Sequence, residues 1–430
     1  MTTAAAPLAA PPTKPPAAPP TGPEVSGTSG AVTRDPRLDF FRGLGMFIIL
    51  ISHVPGNTWS SWIPGRFGFS DAAEIFVFCS GMASAIAFGR VFDRAGWAIG
   101  TARVAFRVWQ IYWAHICLFF AIAVTMSALN QTGWFEADYV KDLNLQWFFL
   151  DTRPGHDTTS QLIGLMTLTY VPNYFDILPM YIVILAMMPF VVALHRVSPR
   201  ALFVALVALW IATQFGQRRL DGMWLADAIG LPGLPAEPWS ERPWYFNPFG
   251  WQAVFYTGFA LMRGWLPRPP VHGYLTALAL VVVLGSVPLA WHEVRNEYPA
   301  LRAVWESLAP LRDKTSEGLY RYLHIVALAY LAYVAAGEGG RNLVARGTGR
   351  GAALWTGVVA WVMRVGQQSL AIFLWSMWAS RMMGVLIDIS GGGALAIALV
   401  NLIGIASVLA VAWICAWFKA QPWKPRRPAR

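Results

Sequence analysis

The sequence predicts an all-α polytopic membrane protein, a bundle of ten transmembrane helices with both termini on the cytoplasmic side. Three observations lead there. Of 430 residues only 13% are charged and 56% are apolar, with a mean hydropathy of +0.45, whereas soluble domains carry roughly 25% charged residues. Apolar runs long enough to cross a bilayer recur along the chain. Lys and Arg alternate from gap to gap as the positive-inside rule requires. The 22 Trp, 25 Phe and 13 Tyr suit bilayer interfaces, where indole and phenol rings settle.

Residues 1–33 are rich in Ala, Pro, Thr and Gly, with PPTKPPAAPPTGP at the centre. Such a segment has little to bury, so it reads as a disordered cytoplasmic tail. It lacks a basic stretch followed by an apolar run, and no cleaved leader is expected. The ten spans are placed at 39–55, 71–89, 105–128, 178–195, 200–216, 248–265, 271–290, 319–336, 366–387 and 394–418, within a membrane domain at 34–420. Residues 352–363 read as a surface helix or an extension of the ninth span. Residues 421–430 form a basic cytoplasmic tail ending KPRRPAR.

Charge placement tests the count. The gaps expected inside hold Arg90, Arg94 and Arg103; Arg196 and Arg200; Arg263 and Arg268; and Arg341, Arg346 and Arg350, while the N-terminal tail carries Arg34 and Arg37. The outer gap at 129–177 is acid-rich, with Glu136, Asp138, Asp142, Asp151, Asp157 and Asp176. An odd number of spans would break this alternation. No inverted repeat of the kind common in secondary transporters is visible.

The net charge of +10 is dispersed in short clusters between apolar runs, which points to topology and away from a nucleic-acid partner. The three cysteines, Cys79, Cys117 and Cys415, lie in apolar runs and suggest neither a disulfide framework nor a metal site.

Arg42 and His53 are the most informative pair. Eleven positions make almost three helical turns, so both side chains share one face about 16 Å apart along the axis. Ionisable groups inside a span are costly and are functional suspects by default. Four other segments bring polar groups to the depth of His53: Glu74; Asn173, Tyr174 and Asp176; Asn247, Trp251 and Gln252; Arg321 and His324. Each has a plainer explanation. Asp176 suits a helix N-cap, Gln252 a bridge between helices, Tyr174 and Trp251 an aromatic belt, and Arg321 a lipid headgroup. Glu74 needs a partner or a proton. His115, mid-span in IYWAHI, fits a proton relay or an interhelical contact, whereas His156, His195, His272 and His292 carry no signal. At the inner face Arg42, Arg103 and Arg107 could take phosphate oxygens, with ordinary positive-inside charge as the alternative. Asp39 stands three residues before Arg42, in reach of its guanidinium.

RLDFFRGLGMFIILISH, with Asp-x-x-Arg followed after ten residues by His, resembles the first-span signature of the membrane acyltransferase-3 superfamily. EIFVFCSG resembles that superfamily's Phe-rich segment ending in Ser-Gly. AAEIFVFCSGM, NYFDILPMYIVILA and NPFGWQAVFYTGF look like the OpgC branch, which is associated with succinylation of osmoregulated periplasmic glucans. The similarity runs in order over residues 34–390. It implies a ten-span inner-membrane enzyme that takes an acyl group from cytoplasmic acyl-CoA and delivers it to an extracytoplasmic acceptor. It also implies that His53 is the catalytic residue and Arg42 the acyl-CoA position. Glu74, Asp176 and Gln252 fall inside matched phrases, though their individual roles do not transfer.

The chemistry of the residues agrees. An imidazole can take a proton from an attacking sugar hydroxyl, and Glu74 could fix its tautomer; direct acylation of His53 is the alternative. Arg42, Arg107 and Arg103 are the expected acyl-CoA contacts, and Asp176, Asn173, Gln252 and His324 the expected acceptor contacts. The donor, acyl-CoA and succinyl-CoA by the resemblance, is a substrate, and no permanently bound cofactor or metal is expected. A competing class is a proton-coupled transporter or flippase using His53, Glu74 and His115.

Overall fold

The computed structural model describes residues 35–150, 158–215, 219–220, 223–224, 234–237 and 242–424. The Ala/Pro-rich tail at 1–33, Arg34, the acids Asp151 and Asp157, His156 and the last six basic-tail residues lie outside these.

Among the described residues each of the ten apolar runs is largely helical. Helix α1 (Pro36–Ser52) starts at Asp35, which accepts a hydrogen bond from the Arg37 backbone N–H at 3.0 Å, with Pro36 in the first turn. Helix α2 (Ala72–Ser84) continues through a π-helical turn at Ala85–Gly89 into α3 (Arg90–Gln131). Gly96, at φ 82° and ψ 177°, divides that long stretch into two arms, because only glycine adopts such a conformation without strain. Two short helices, α4 (Gln146–Leu150) and α5 (Thr158–Thr167), precede α6 (Ile177–Val197) and α7 (Pro199–Phe215). A two-residue antiparallel pair, Arg219–Leu220 with Met223–Trp224, departs from the helical pattern. Then come α8 (Pro248–Arg263), α9 (Gly273–Ala290), α10 (His292–Glu297), α11 (Pro299–Ser307) and α12 (Leu319–Ala336). Helix α13 (Arg350–Gln367) contains the ambiguous segment at 352–363. It is separate from α14 (Ser369–Ile389), because Gln368 breaks the helical path at φ −108° and ψ 24°. Helix α15 (Ala394–Ala420) ends the series. Six stretches among the described residues are long and apolar enough to cross a membrane, and Ala72–Gln131 is one of them.

Contacts at the two ends of the bundle show the helices alternating in direction. At one end Asn57, just past α1, exchanges amide hydrogen bonds with Asn401 of α15 at 3.0 and 2.9 Å. There too Trp251 of α8 donates to the Lys314 carbonyl, and Trp210 of α7 to that of Glu317. At the opposite end Arg37 donates to the Gly337 carbonyl, Arg196 to that of Phe92, and Arg263 forks onto Asp93 at 2.7 and 2.9 Å.

Between membrane helices apolar burial contributes little drive, so close packing matters more. A Cβ on Gly43 would come within 2.0 Å of the Val362 carbonyl oxygen, and one on Gly366 within 1.9 Å of that of Asp39. Helices α1 and α13 therefore touch backbone to backbone. Gly81 and Gly258 do the same for α2 and α8, at 1.9 and 2.3 Å from the carbonyls of Phe255 and Phe78.

Candidate functional site

His53 caps α1, and its ring orientation follows from the last helical turn. Nδ1 lies 2.8 Å from the Ile49 carbonyl and 3.0 Å from Ser52 Oγ. A carbonyl only accepts, so Nδ1 carries the proton and Nε2 is left as the basic nitrogen. Nε2 has no hydrogen-bond partner among the described residues and is not sealed. Thus a backbone carbonyl, and not Glu74, fixes the tautomer.

The ring meets Tyr174 edge-on, with centroids 5.4 Å apart. Tyr174 has φ 88°, a left-handed conformation costly for a bulky residue, and such strain concentrates at functional positions. Its hydroxyl donates to the Met377 carbonyl at 2.5 Å and lies 2.7 Å from Ser380 Oγ, both on α14. The Arg381 guanidinium stands 4.0 Å above the Tyr174 ring centre. Lys314, Arg381 and Asp71 are the charged groups whose fields reach His53.

Glu74 belongs to a capping box that Ser70-Asp71-Ala72-Ala73-Glu74 builds at the start of α2. Asp71 accepts from the Ala73 N–H, and Glu74 Oε2 from the Asp71 N–H, both at 2.8 Å. The other Glu74 oxygen takes two hydrogen bonds from Arg321, one of them from Nε at 2.7 Å. Arg321 also lies 3.6 Å from Asp71 and 3.8 Å from Glu317, and Lys314 Nζ is 2.5 Å from Asp71. Three acids and two bases thus cluster, with Glu74, Glu317 and Arg321 buried and Asp71 and Lys314 partly exposed. Burial would raise the Asp71 carboxyl, but Lys314 and Arg321 hold it well below the usual range. Burial and the neighbouring Glu74 push Glu317 far up, so it shares the cluster as a neutral acid. Burial would lower Lys314, but Asp71 and Glu74 keep it above its ordinary value.

Beside the cluster opens a cavity of about 580 Å³ lined by Asp71, Lys314, Arg321, Arg312, Tyr245 and Trp305 among others. Arg312 lies 3.8 Å over the Trp305 ring and Arg295 4.2 Å from its centre. An aromatic wall with hydrogen-bonding cations is chemistry that suits a polyhydroxylated ligand.

The opposite end of α1 carries the second half of the site. Arg42 donates to Ser369 Oγ at the start of α14, and Lys419 donates to the adjacent Gln368 at 2.5 Å. Asp39, buried, accepts from Gln367 at 3.2 Å. Twelve residues of α14 separate Ser369 from Arg381, about 18 Å of helix, against about 16 Å from Arg42 to His53. The two helices therefore run side by side, with a polar group pair at each level. Met46 and Ile49 fill the stripe between Arg42 and His53, at 0% and 3% exposure.

The family described as OpgC protein matches residues 34–420, nearly the whole chain. The chain belongs to the OpgC family. No curated protein and no solved structure matches it. Membership puts this OpgC chain among glucan-modifying, acyltransferase-like membrane proteins.

Other expected site residues of the OpgC chain are spread more widely. His324 Nδ1 accepts from Ser70, 2.6 Å from its Oγ, while Nε2 is buried without a partner. Gln252 is buried and donates to the Leu206 carbonyl at 2.9 Å, bridging α8 to α7. Asn173 accepts from Arg242 at 2.8 Å. Asp176 makes no side-chain cap bond, its Oδ1 is sealed without a partner, and burial pushes its carboxyl up to about 7. Arg107 turns to Gln110 on its own helix, and Arg103 lies over Phe88 and Phe106, each 5.9 Å away. His115 is buried, and neither ring nitrogen has a hydrogen-bond partner among the described residues. Sequence reasoning passed over Asp71, Lys314, Glu317, Lys419 and Arg381. The capping-box spacing of Asp71 and Glu74, and a bare arginine in the apolar run SMWASRMMG, were the available signals.

Proposed function

We propose that this chain is an integral inner-membrane O-acyltransferase with ten spans and cytoplasmic termini. It moves an acyl group, succinyl by family, from cytoplasmic acyl-CoA to a hydroxyl of a periplasmic glucan. The observation that carries the reading is His53 held by the Ile49 carbonyl with Nε2 open. Arg42 and Lys419, which meet Ser369 and Gln368 at the start of α14, take the nucleotide end of acyl-CoA, and Arg107 and Arg103 supply further positive charge. The thioester comes up beside α1 past Met46 and Ile49. The glucan enters by the aromatic and cationic cavity, with Asp176, Asn173, Gln252 and His324 shaping the same end of the bundle.

In the reaction, Nε2 takes the proton of the attacking hydroxyl as its oxygen bonds to the thioester carbon. The tetrahedral adduct collapses, the C–S bond breaks, and the imidazolium returns its proton to the departing thiolate. Glu74 acts at one remove, by holding Arg321 and the start of α2. The buried, unpartnered His115 is the observation that favours a proton-coupled transporter instead.

The test is transfer in proteoliposomes, with labelled acyl-CoA on the face carrying the tails and glucan on the other. Labelled glucan should form only in this arrangement and without a pH gradient. Glucan movement without acylation, abolished by His115→Phe, would replace the enzyme with the transporter.

A further inference from the structure

Among the described residues no acid at the His53 end forms an ion pair with Arg381. Asp71 pairs with Lys314, Glu74 with Arg321, and Asp388 accepts from Tyr139. Arg381, in a helix apolar enough to cross a membrane, makes no ion pair among the described residues, and only the Tyr174 side chain is within its hydrogen-bonding reach. It packs on the face of Tyr174, and its Nε is sealed without a partner. Such a part-buried guanidinium in an apolar helix is costly to leave without a counter-charge, and no carboxylate among the described residues supplies one. A ring face compensates only part of it. The missing partner is a planar anion, and a carboxylate matches the guanidinium fork.

Position says which carboxylate. Arg381 and His53 both pack on Tyr174, with the guanidinium carbon 4.0 Å from its ring centre and the imidazole centre 5.4 Å from it. Arg381 is therefore no farther from the imidazole centre than those two lengths laid end to end. A four-carbon diacid spans about 5 Å from carbonyl carbon to far carboxylate, and with a hydrogen bond of about 3 Å at each end it reaches about 11 Å extended, so it would bind bent between the two groups.

Resting on the acyltransferase reading, we propose that Arg381 is a specificity-determining residue. It binds the free carboxylate of a dicarboxylic acyl group whose thioester carbonyl faces His53 Nε2. Tyr174, strained and tied to Met377 and Ser380, fixes the distance between the two. The selected donor is thus an anionic acyl thioester, and a neutral acyl chain of equal length leaves the guanidinium unpaired.

The test compares succinyl-CoA with butyryl-CoA, equal in chain length and different in charge, on one glucan acceptor. Wild type should show the higher kcat/KM with succinyl-CoA. Arg381→Gln should lower succinyl transfer by about 10- to 100-fold and butyryl transfer far less, so that butyryl transfer also reports a folded variant. Arg381→Lys, which keeps charge without the fork, should keep part of the preference and decides the matter if the Gln variant does not fold. Equal use of both donors by wild type, or equal losses for both in Arg381→Gln, overturns the assignment. Transfer from no acyl-CoA at all removes the acyltransferase reading and this inference with it. That failure differs from transfer that ignores Arg381.

Discussion

Replacing Arg321 with Met should destabilise the protein severely, and replacing Glu74 along with it should restore much of the loss. Arg321 is the cation that Glu74 relies on, through two hydrogen bonds, and it stands within 4 Å of Asp71 and Glu317 as well. Glu74 is 0% exposed, so solvent cannot take over. Asp71 keeps Lys314 at 2.5 Å, but Glu74 keeps only the Asp71 N–H. Breaking a buried pair from one side costs about 3–5 kcal/mol, while exchanging both partners for apolar groups of like volume is often near neutral. At roughly 2–4 °C per kcal/mol for a large chain, the single variant should melt about 6–20 °C below wild type. The Arg321→Met, Glu74→Met double variant should recover more than half of that. The single variant's deficit should also shrink toward pH 5, because an orphaned carboxyl escapes by taking up a proton. Thermal unfolding in detergent measures all three. A single variant within 2 °C of wild type, or a double variant no better than the single, refutes the argument.

Other substitutions probe separate parts of the structure. Asp176 has its carboxyl raised to about 7 from 3.8, so its stabilising contribution is present below about pH 4 and is lost as pH rises through 7. Asp176→Asn should therefore gain melting temperature relative to wild type between pH 5 and pH 8; a flat difference contradicts this. Arg42→Ala should raise KM for acyl-CoA at least tenfold and leave KM for the glucan nearly unchanged, since a charge-assisted phosphate contact is worth about 1.5–3 kcal/mol. Equal rises in both would move the donor elsewhere. Gly81→Leu should prevent α2 and α8 from closing, because even a Cβ would lie 1.9 Å from the Phe255 carbonyl oxygen. A monodisperse variant with wild-type melting behaviour would show that the backbones can part without loss.

The sequence carried the scaffold well because apolar length and capping chemistry are local. The run at 319–336 matches α12 residue for residue, and 71–89 differs only at the capping Asp71. The ambiguous segment at 352–363 was harder, because the glycine before its stop at Gln368, Gly366, lies inside the helix and serves its packing on α1. The site was only half legible. His53, Glu74, Arg321 and His324 do gather at one end, as alternating spans require. Their pairing was not readable: Arg321 meets Glu74 across 247 positions, and nothing local says that Ile49 holds His53. Tyr174 looked like a belt residue because phenols are common at interfaces, and its positive φ is set by tertiary packing. Arg381 was hidden by its position, one charge in an otherwise apolar helix whose neighbours are known only once the helices assemble.

The central claim is that His53 Nε2 accepts the proton of the attacking hydroxyl. The most direct measurement is single-turnover acyl transfer by His53→Ala, with its melting temperature recorded on the same preparation. The account predicts a melting temperature close to wild type and a transfer rate lower by about 10²- to 10⁴-fold. A folded His53→Ala protein that acylates glucan at the wild-type rate would contradict it.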